Sequence, residues 1–120
     1  MARATGRLEA FTRWLTAFGD AWEAGEPAGL GALFAVGATF APTPFEPLVR
    51  GRHTILAHFE RQFGSWPGVS FAAQVLGAGD TYGVAHYRVT SSDHALDGVL
   101  VVALDAHGRC TSLRQWWHAA

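Results

Sequence analysis

The chain has 120 residues, a formal net charge of −1 from nine basic and ten acidic groups, and 49 % apolar residues. That is one domain, residues 1–120, with enough apolar material for a core, and it excludes a disordered chain. All nine basic residues are arginine; with no basic run to neutralise phosphates and no lysine for a Schiff base, neither nucleic-acid binding nor imine chemistry is expected.

The opening stretch MARATGRLEAF has no apolar signal region. Leu8, Phe11, Leu15, Phe18 and Trp22 then recur every three or four residues, which predicts an amphipathic helix. Gly25-Glu26-Pro27 ends it, and Pro27 suits the first turn of a second, short helix, PAGLGALFA, presenting Leu30, Leu33 and Phe34. Pro27 to Phe45 carries no charge, but Gly29, Gly31, Gly37, Pro42 and Pro44 break it up, so no membrane partner is expected. A short strand around Thr39 and Phe40 leads into the proline-rich loop PTPFEP. After Gly51 a third helix carries Ile55, Leu56, Phe59 and Phe63 on one side.

From Val69 the pattern becomes strand-like: VSFAAQVLGAG, TYGVAHYRVTSS, HALDGVLVVALD and RCTSLRQWWH, with a hairpin turn at Asp105-Ala106-His107-Gly108. Helices followed by a run of antiparallel strands make an α+β domain with the helices on one face of a curved sheet. Cys110 is the only cysteine. No internal disulfide can form, so the expected location is cytoplasmic, and the thiol reads as a small apolar filler.

AWEAGEPAGLGALFAVGATF, Pro44 followed by Gly51-Arg52-His53-Thr54-Ile55, and the closing LDAHGRCTSLRQWW occur in an order that resembles the nuclear-transport-factor-like superfamily. That group includes SnoaL-type polyketide cyclases and ketosteroid isomerases. The resemblance implies a cone: a curved antiparallel sheet packed against N-terminal helices around an apolar pocket, with many members dimerising through the outer sheet face. A ketosteroid isomerase would need a tyrosine at Phe18, a carboxylate base at Ala41 and a strand aspartate at Leu100. All three places are apolar here, leaving no proton carrier or oxyanion donor among them.

Strand side chains alternate faces. Leu113, Gln115 and Trp117 share one side of the last strand; Arg114, Trp116 and His118 share the other. The resemblance puts Trp117 on the concave side, with Tyr87, Ala85, Val89, Gly98, Leu100 and Val102, facing Phe18, Trp22, Phe59 and Phe63 from the helices. Either these aromatics fill the core or they wall a cavity for a small hydrophobic molecule, with the Tyr87 hydroxyl, the Gln115 amide and the Trp117 indole N–H as polar handles. His86, Arg88, Arg114, Trp116 and His118 form a polar–aromatic outer face suited to a homodimer interface.

Asp97 interrupts an apolar strand and is the catalytic candidate; Glu46 sits in the loop at the pocket mouth. If Asp97 enters the pocket, through a bulge at Gly98 that changes strand parity, burial raises its pKa and fits it to acid–base chemistry. If it faces outward, it pairs with Arg88 or Arg114. His53 and His58 are five apart, the wrong spacing for shared metal ligation on a helix, and neither a metal signature, a phosphate loop nor a cofactor motif is present. The expected function is a SnoaL-like pocket for a small hydrophobic molecule, as a cyclase, isomerase or hydrolase, with a non-catalytic ligand-binding or dimerisation module as the alternative.

Overall fold

The structure, a computed structural model, describes the backbone of residues 2–119 and the side chains of residues 8–119. The long helix α1 (Ala2–Ala24) buries Phe11, Trp14, Leu15, Phe18 and Trp22, whereas Leu8 is largely exposed. Trp14 therefore joins the apolar stripe where Leu8 was expected. Its ring stacks on Phe18 with centroids 4.9 Å apart, and its indole N–H donates to the Leu33 carbonyl at 2.9 Å. The helix ends at Gly25, in the left-handed region at φ 68°, with the Glu26 N–H closing back to the Ala21 carbonyl.

The second helix of the sequence reading is reduced to one 3-10 turn, Pro27–Leu30, and Phe34 already belongs to strand β1 (Phe34–Ala41). Gly29 and Gly31 are poor helix formers, and the Cys110 N–H donates to the Leu33 carbonyl at 2.7 Å, drawing the chain into the sheet. After the two-residue strand β2 (Val49–Arg50), helix α2 (Arg52–Ser65) buries Ile55, Phe59 and Phe63. The strands β3 (Ser70–Ala78), β4 (Tyr82–Thr90), β5 (Ala95–Leu104) and β6 (Cys110–Ala119) follow.

Six strands form one curved, unclosed sheet in the order β2-β1-β6-β5-β4-β3. The expectation of an antiparallel sheet holds for every pair but one: β1 runs parallel to β6. Lateral rows cross the sheet without slipping, Tyr87–Gly98–Trp117 and Ala85–Leu100–Gln115 on the inner face, Arg88–Asp97–His118 and His86–Val99–Trp116 on the outer. The pairing runs unbroken through Gly98, so there is no bulge there; the register shift lies between Ala103 and Leu104. Gly98 serves a different need. A Cβ there would collide with the Trp116 carbonyl and approach the Trp117 Cβ at 2.8 Å.

Between the sheet and the helices lies an aromatic core. Phe59 stacks on Phe40 at 5.0 Å and meets Phe18 edge-on at 5.6 Å. Among the described residues no helix is long and apolar enough to cross a membrane.

Candidate functional site

The concave side of the sheet leaves a cavity of about 340 Å³. Trp22 enters from α1; Pro42 and Glu46 from the loop after β1; His58, Phe59 and Gln62 from α2, with Trp66 just beyond it; Tyr87, Leu96, Gln115 and Trp117 from β4, β5 and β6. Trp66 is fixed by stacking on His94, ring centroids 4.8 Å apart. Of the eight pocket residues read from the sequence, Trp22, Phe59, Tyr87, Gln115 and Trp117 line the cavity. Phe18, Phe63 and Leu100 are buried in the core behind it. The aromatics thus divide between filling and lining.

The polar handles differ from expectation at one point. The Trp117 indole N–H is already used: it donates to the Pro42 carbonyl at 2.9 Å. Among the described residues, the buried side-chain N and O atoms without a protein partner are the Trp22 indole nitrogen, the Tyr87 hydroxyl and the Gln115 amide nitrogen. Burial, reinforced by the negative charge of Asp97, pushes the Tyr87 phenol well above its ordinary value of 10.0, so it stays protonated and can donate.

His58 lies against Phe40 and Phe59, with ring centroids 5.1 and 5.6 Å away. Burial lowers its pKa below 6.5, the Arg61 charge lowers it further, and Glu46 opposes both. The result is a neutral imidazole beside the cavity, the form that accepts a proton. The sequence reading weighed His58 only as a metal ligand and did not place it beside the cavity. The signal was its spacing: His58 and Gln62 are one turn apart at the edge of α2's apolar face, and Trp66 follows four residues on, just past the helix end. Among the described residues no three His, Cys, Asp or Glu side chains cluster as metal ligands would.

Asp97 points outward. Its carboxylate accepts from His86 Nε2 and from Arg88 Nε, each at 2.9 Å. These bonds, His86 first, lower its pKa rather than raise it, so the acid–base role that needed a buried Asp97 has no support in its position. It lies instead in an outer hollow of about 590 Å³ with Phe45, His86, Trp116 and His118. Trp117 borders both hollows. A third hollow, about 520 Å³, lies at the hairpin ends near Arg13 and His107. There the Asp105 carboxylate accepts from the His107 and Arg109 N–H groups. Cys110 is buried, and burial pushes its thiol up to about 12, away from reactivity.

The places that a ketosteroid isomerase mechanism needs stay apolar in the fold: Phe18 and Leu100 are fully buried, and Ala41 ends β1. Yet a relative from Nocardioides simplex named steroid Δ-isomerase is 32 % identical over 104 residues, covering 82 % of this chain and 81 % of its own. Among solved structures, the epoxide hydrolase/cyclase-like enzyme SalBIII, of pyran ring formation in salinomycin, superposes with a TM-score of 0.76. It is 16 % identical, over 95 % of this chain and 92 % of its own. A nuclear-transport-factor-2-like protein of unknown function from Mesorhizobium loti gives 0.73 at 21 % identity, over 97 % and 93 %. These two likenesses concern the fold. The sequence itself matches the SnoaL-like domain over residues 15–117, from the middle of α1 to the tryptophan that closes the cavity, and the chain belongs to that family.

Proposed function

We propose that the protein binds a small, largely apolar, flat molecule in the inner cavity and moves a proton on it, as an isomerase or cyclase does. The observation that supports this is the place of His58: its ring packs against Phe40 and Phe59 in the wall of an aromatic-lined cavity that Glu46 also lines, and burial holds its pKa below the ordinary 6.5. Aromatic walls favour a planar ring system, and a cavity of this size is at the lower end for small-molecule sites. Isomerisation takes a proton from one carbon and returns it to another. A single neutral base that accepts it and gives it back closes the balance, and the stabilised form of Tyr87 is the protonated one. In this reading the proton-transfer role expected of Asp97 belongs to His58.

The test is exchange of the acidic C–H protons of 2-tetralone in deuterated water, followed by NMR. The protein accelerates exchange, and His58→Asn lowers the acceleration by about 100-fold. The non-catalytic alternative rests on the apolar residues at Phe18, Ala41 and Leu100. Binding of 2-tetralone with no accelerated exchange, or with exchange indifferent to His58→Asn, favours it.

A further inference from the structure

β3 is the outermost strand at one side of the sheet, paired with β4 along one edge only. In an antiparallel pair, successive residues turn their N–H and C=O groups alternately toward the neighbour and away from it. Phe71 fixes which set points away: its N–H donates to the Glu23 carboxylate of α1 at 3.0 Å, not to β4. Ala73 and Val75 share that orientation, and among the described residues no partner takes their outward N–H groups. The register shift between Val75 and Gly77 ends the regular edge. Glu23 at one end and this bulge at the other leave an open stretch, and Ala73 in its middle is exposed. Edge strands are ordinarily blunted by lysine, proline or another charge; SFAAQVLGA contains none of these.

Beside the open edge runs a groove of about 250 Å³, walled on its far side by α1. Thr12, Thr16, Asp20 and Glu23, three or four residues apart on one helix face, form that wall. A Cβ at Gly19 would meet the Phe71 ring at 2.5 Å, so helix and strand approach closely there. That contact and the Glu23 bond put both acids at the Phe71 end of the groove. Among the described residues no basic side chain lines it. A strand laid against β3 turns every second side chain into this groove. A second copy of β3 brings no positive charge, because its sequence holds none. A segment with an arginine or lysine at an inward position sets that charge against Asp20 and Glu23.

We infer that the free edge of β3 takes up an extended segment of another protein by strand addition, bonded to the backbone of Ala73 and Val75 and selected by a basic side chain against Asp20 and Glu23. The groove shares no lining residue with the inner cavity or the outer hollow, so the inference stands apart from the proposed proton transfer.

The probe is the blocked peptide acetyl-Thr-Arg-Thr-Val-Thr-Val-amide, whose arginine and valines share one face when extended. It is titrated into the intact, nitrogen-15-labelled chain and followed by NMR. Shifts are confined to 71–75 and the groove face of α1, and hydrogen exchange at the Ala73 and Val75 amides slows about tenfold at saturation. Methylating the peptide's backbone nitrogens, which leaves its charge, abolishes binding. Glutamate in place of the peptide's arginine weakens binding about tenfold, and Asp20→Asn with Glu23→Gln narrows that gap to less than about twofold. Equal binding of the methylated peptide overturns strand addition. Equal binding of the arginine and glutamate peptides, or a gap that survives loss of both acids, overturns the basic selection. Protection of the Ala73 and Val75 amides that rises with the concentration of the chain alone makes the occupant a second copy and overturns the outside partner. No shift at millimolar peptide, or shifts elsewhere on the chain, overturns the site.

Discussion

The Trp117 indole nitrogen donates to the carbonyl oxygen of Pro42 at 2.9 Å, joining positions 75 residues apart. It ties the last strand to the loop that carries Glu46. Within that loop the Thr43 hydroxyl accepts from the Phe45 and Glu46 N–H groups, each at 3.2 Å. Trp117→Phe removes the tie but keeps an aromatic wall. It should cost about 1 kcal/mol in urea denaturation and speed amide exchange over residues 43–48, with exchange in β4 and β5 unchanged.

Gly98 and Gly37 make a controlled pair. A Cβ at Gly98 meets the backbone of β6, which cannot turn aside, whereas a Cβ at Gly37 meets nothing within 4 Å. Gly98→Ala should destabilise by about 3 kcal/mol. Gly37→Ala should change stability by less than about 0.5 kcal/mol. Equal effects in denaturant unfolding would refute the close approach of β5 and β6.

His58 gives a signed pH dependence. Its folded pKa lies below the ordinary 6.5, so as pH falls through 6.5 the unfolded chain takes up a proton that the folded chain resists. Its contribution is complete above 6.5 and is lost below it. Stability of the native chain should drop on acidification from pH 7 toward 5 more steeply than that of His58→Gln, measured as denaturation midpoints. Proton exchange on a bound ketone should show its acid limb below 6.5.

Tyr87→Phe removes a hydroxyl with no protein partner while leaving the ring in place. Without ligand, the midpoint of thermal unfolding should hold steady or rise, since a buried polar atom disappears and no protein hydrogen bond is broken. A fall corresponding to about 2 kcal/mol or more would mean the hydroxyl is well bonded in the free protein.

Trp116 is 43 % exposed on the outer face, next to the Asp97 carboxylate that joins His86 and Arg88. With the fully outward Phe45, 95 % exposed, it makes an apolar patch rimmed by charge. We propose a homodimer through this face. Sedimentation at micromolar concentration should give twice the chain mass, and Trp116→Arg should give one. A native monomer would end that proposal.

Strand parity made the sheet legible from sequence: Ala85, Tyr87, Val89, Leu100, Val102, Leu113 and Gln115 all lie buried on the inner face. Alternation is local and survives folding. What failed depended on partners distant in the chain. Phe34 has helical spacing from Leu30 and Leu33 but lies in β1, opposite Cys110. Gly98 looked like a bulge because its neighbour across β6 is invisible in one dimension. The sequence offers Trp117 as the free indole because nothing local announces the Pro42 carbonyl that accepts from it, and nothing local distinguishes the buried N–H of Trp22. His58 was within reach, since helical spacing alone places it beside Phe59's face.

β6, the last strand, occupies the middle of the sheet, between β1 and β5. During synthesis β1 therefore emerges long before its parallel neighbour exists, with only the two residues of β2 to cover its other edge. Pairings so far apart in sequence form slowly, and open strand edges attract other chains. Until β6 slots in, Phe34 and Phe40 belong to an unfinished edge. The sheet is complete only once β6 has been made, and until then β1 keeps an open edge of the kind that pairs with other chains.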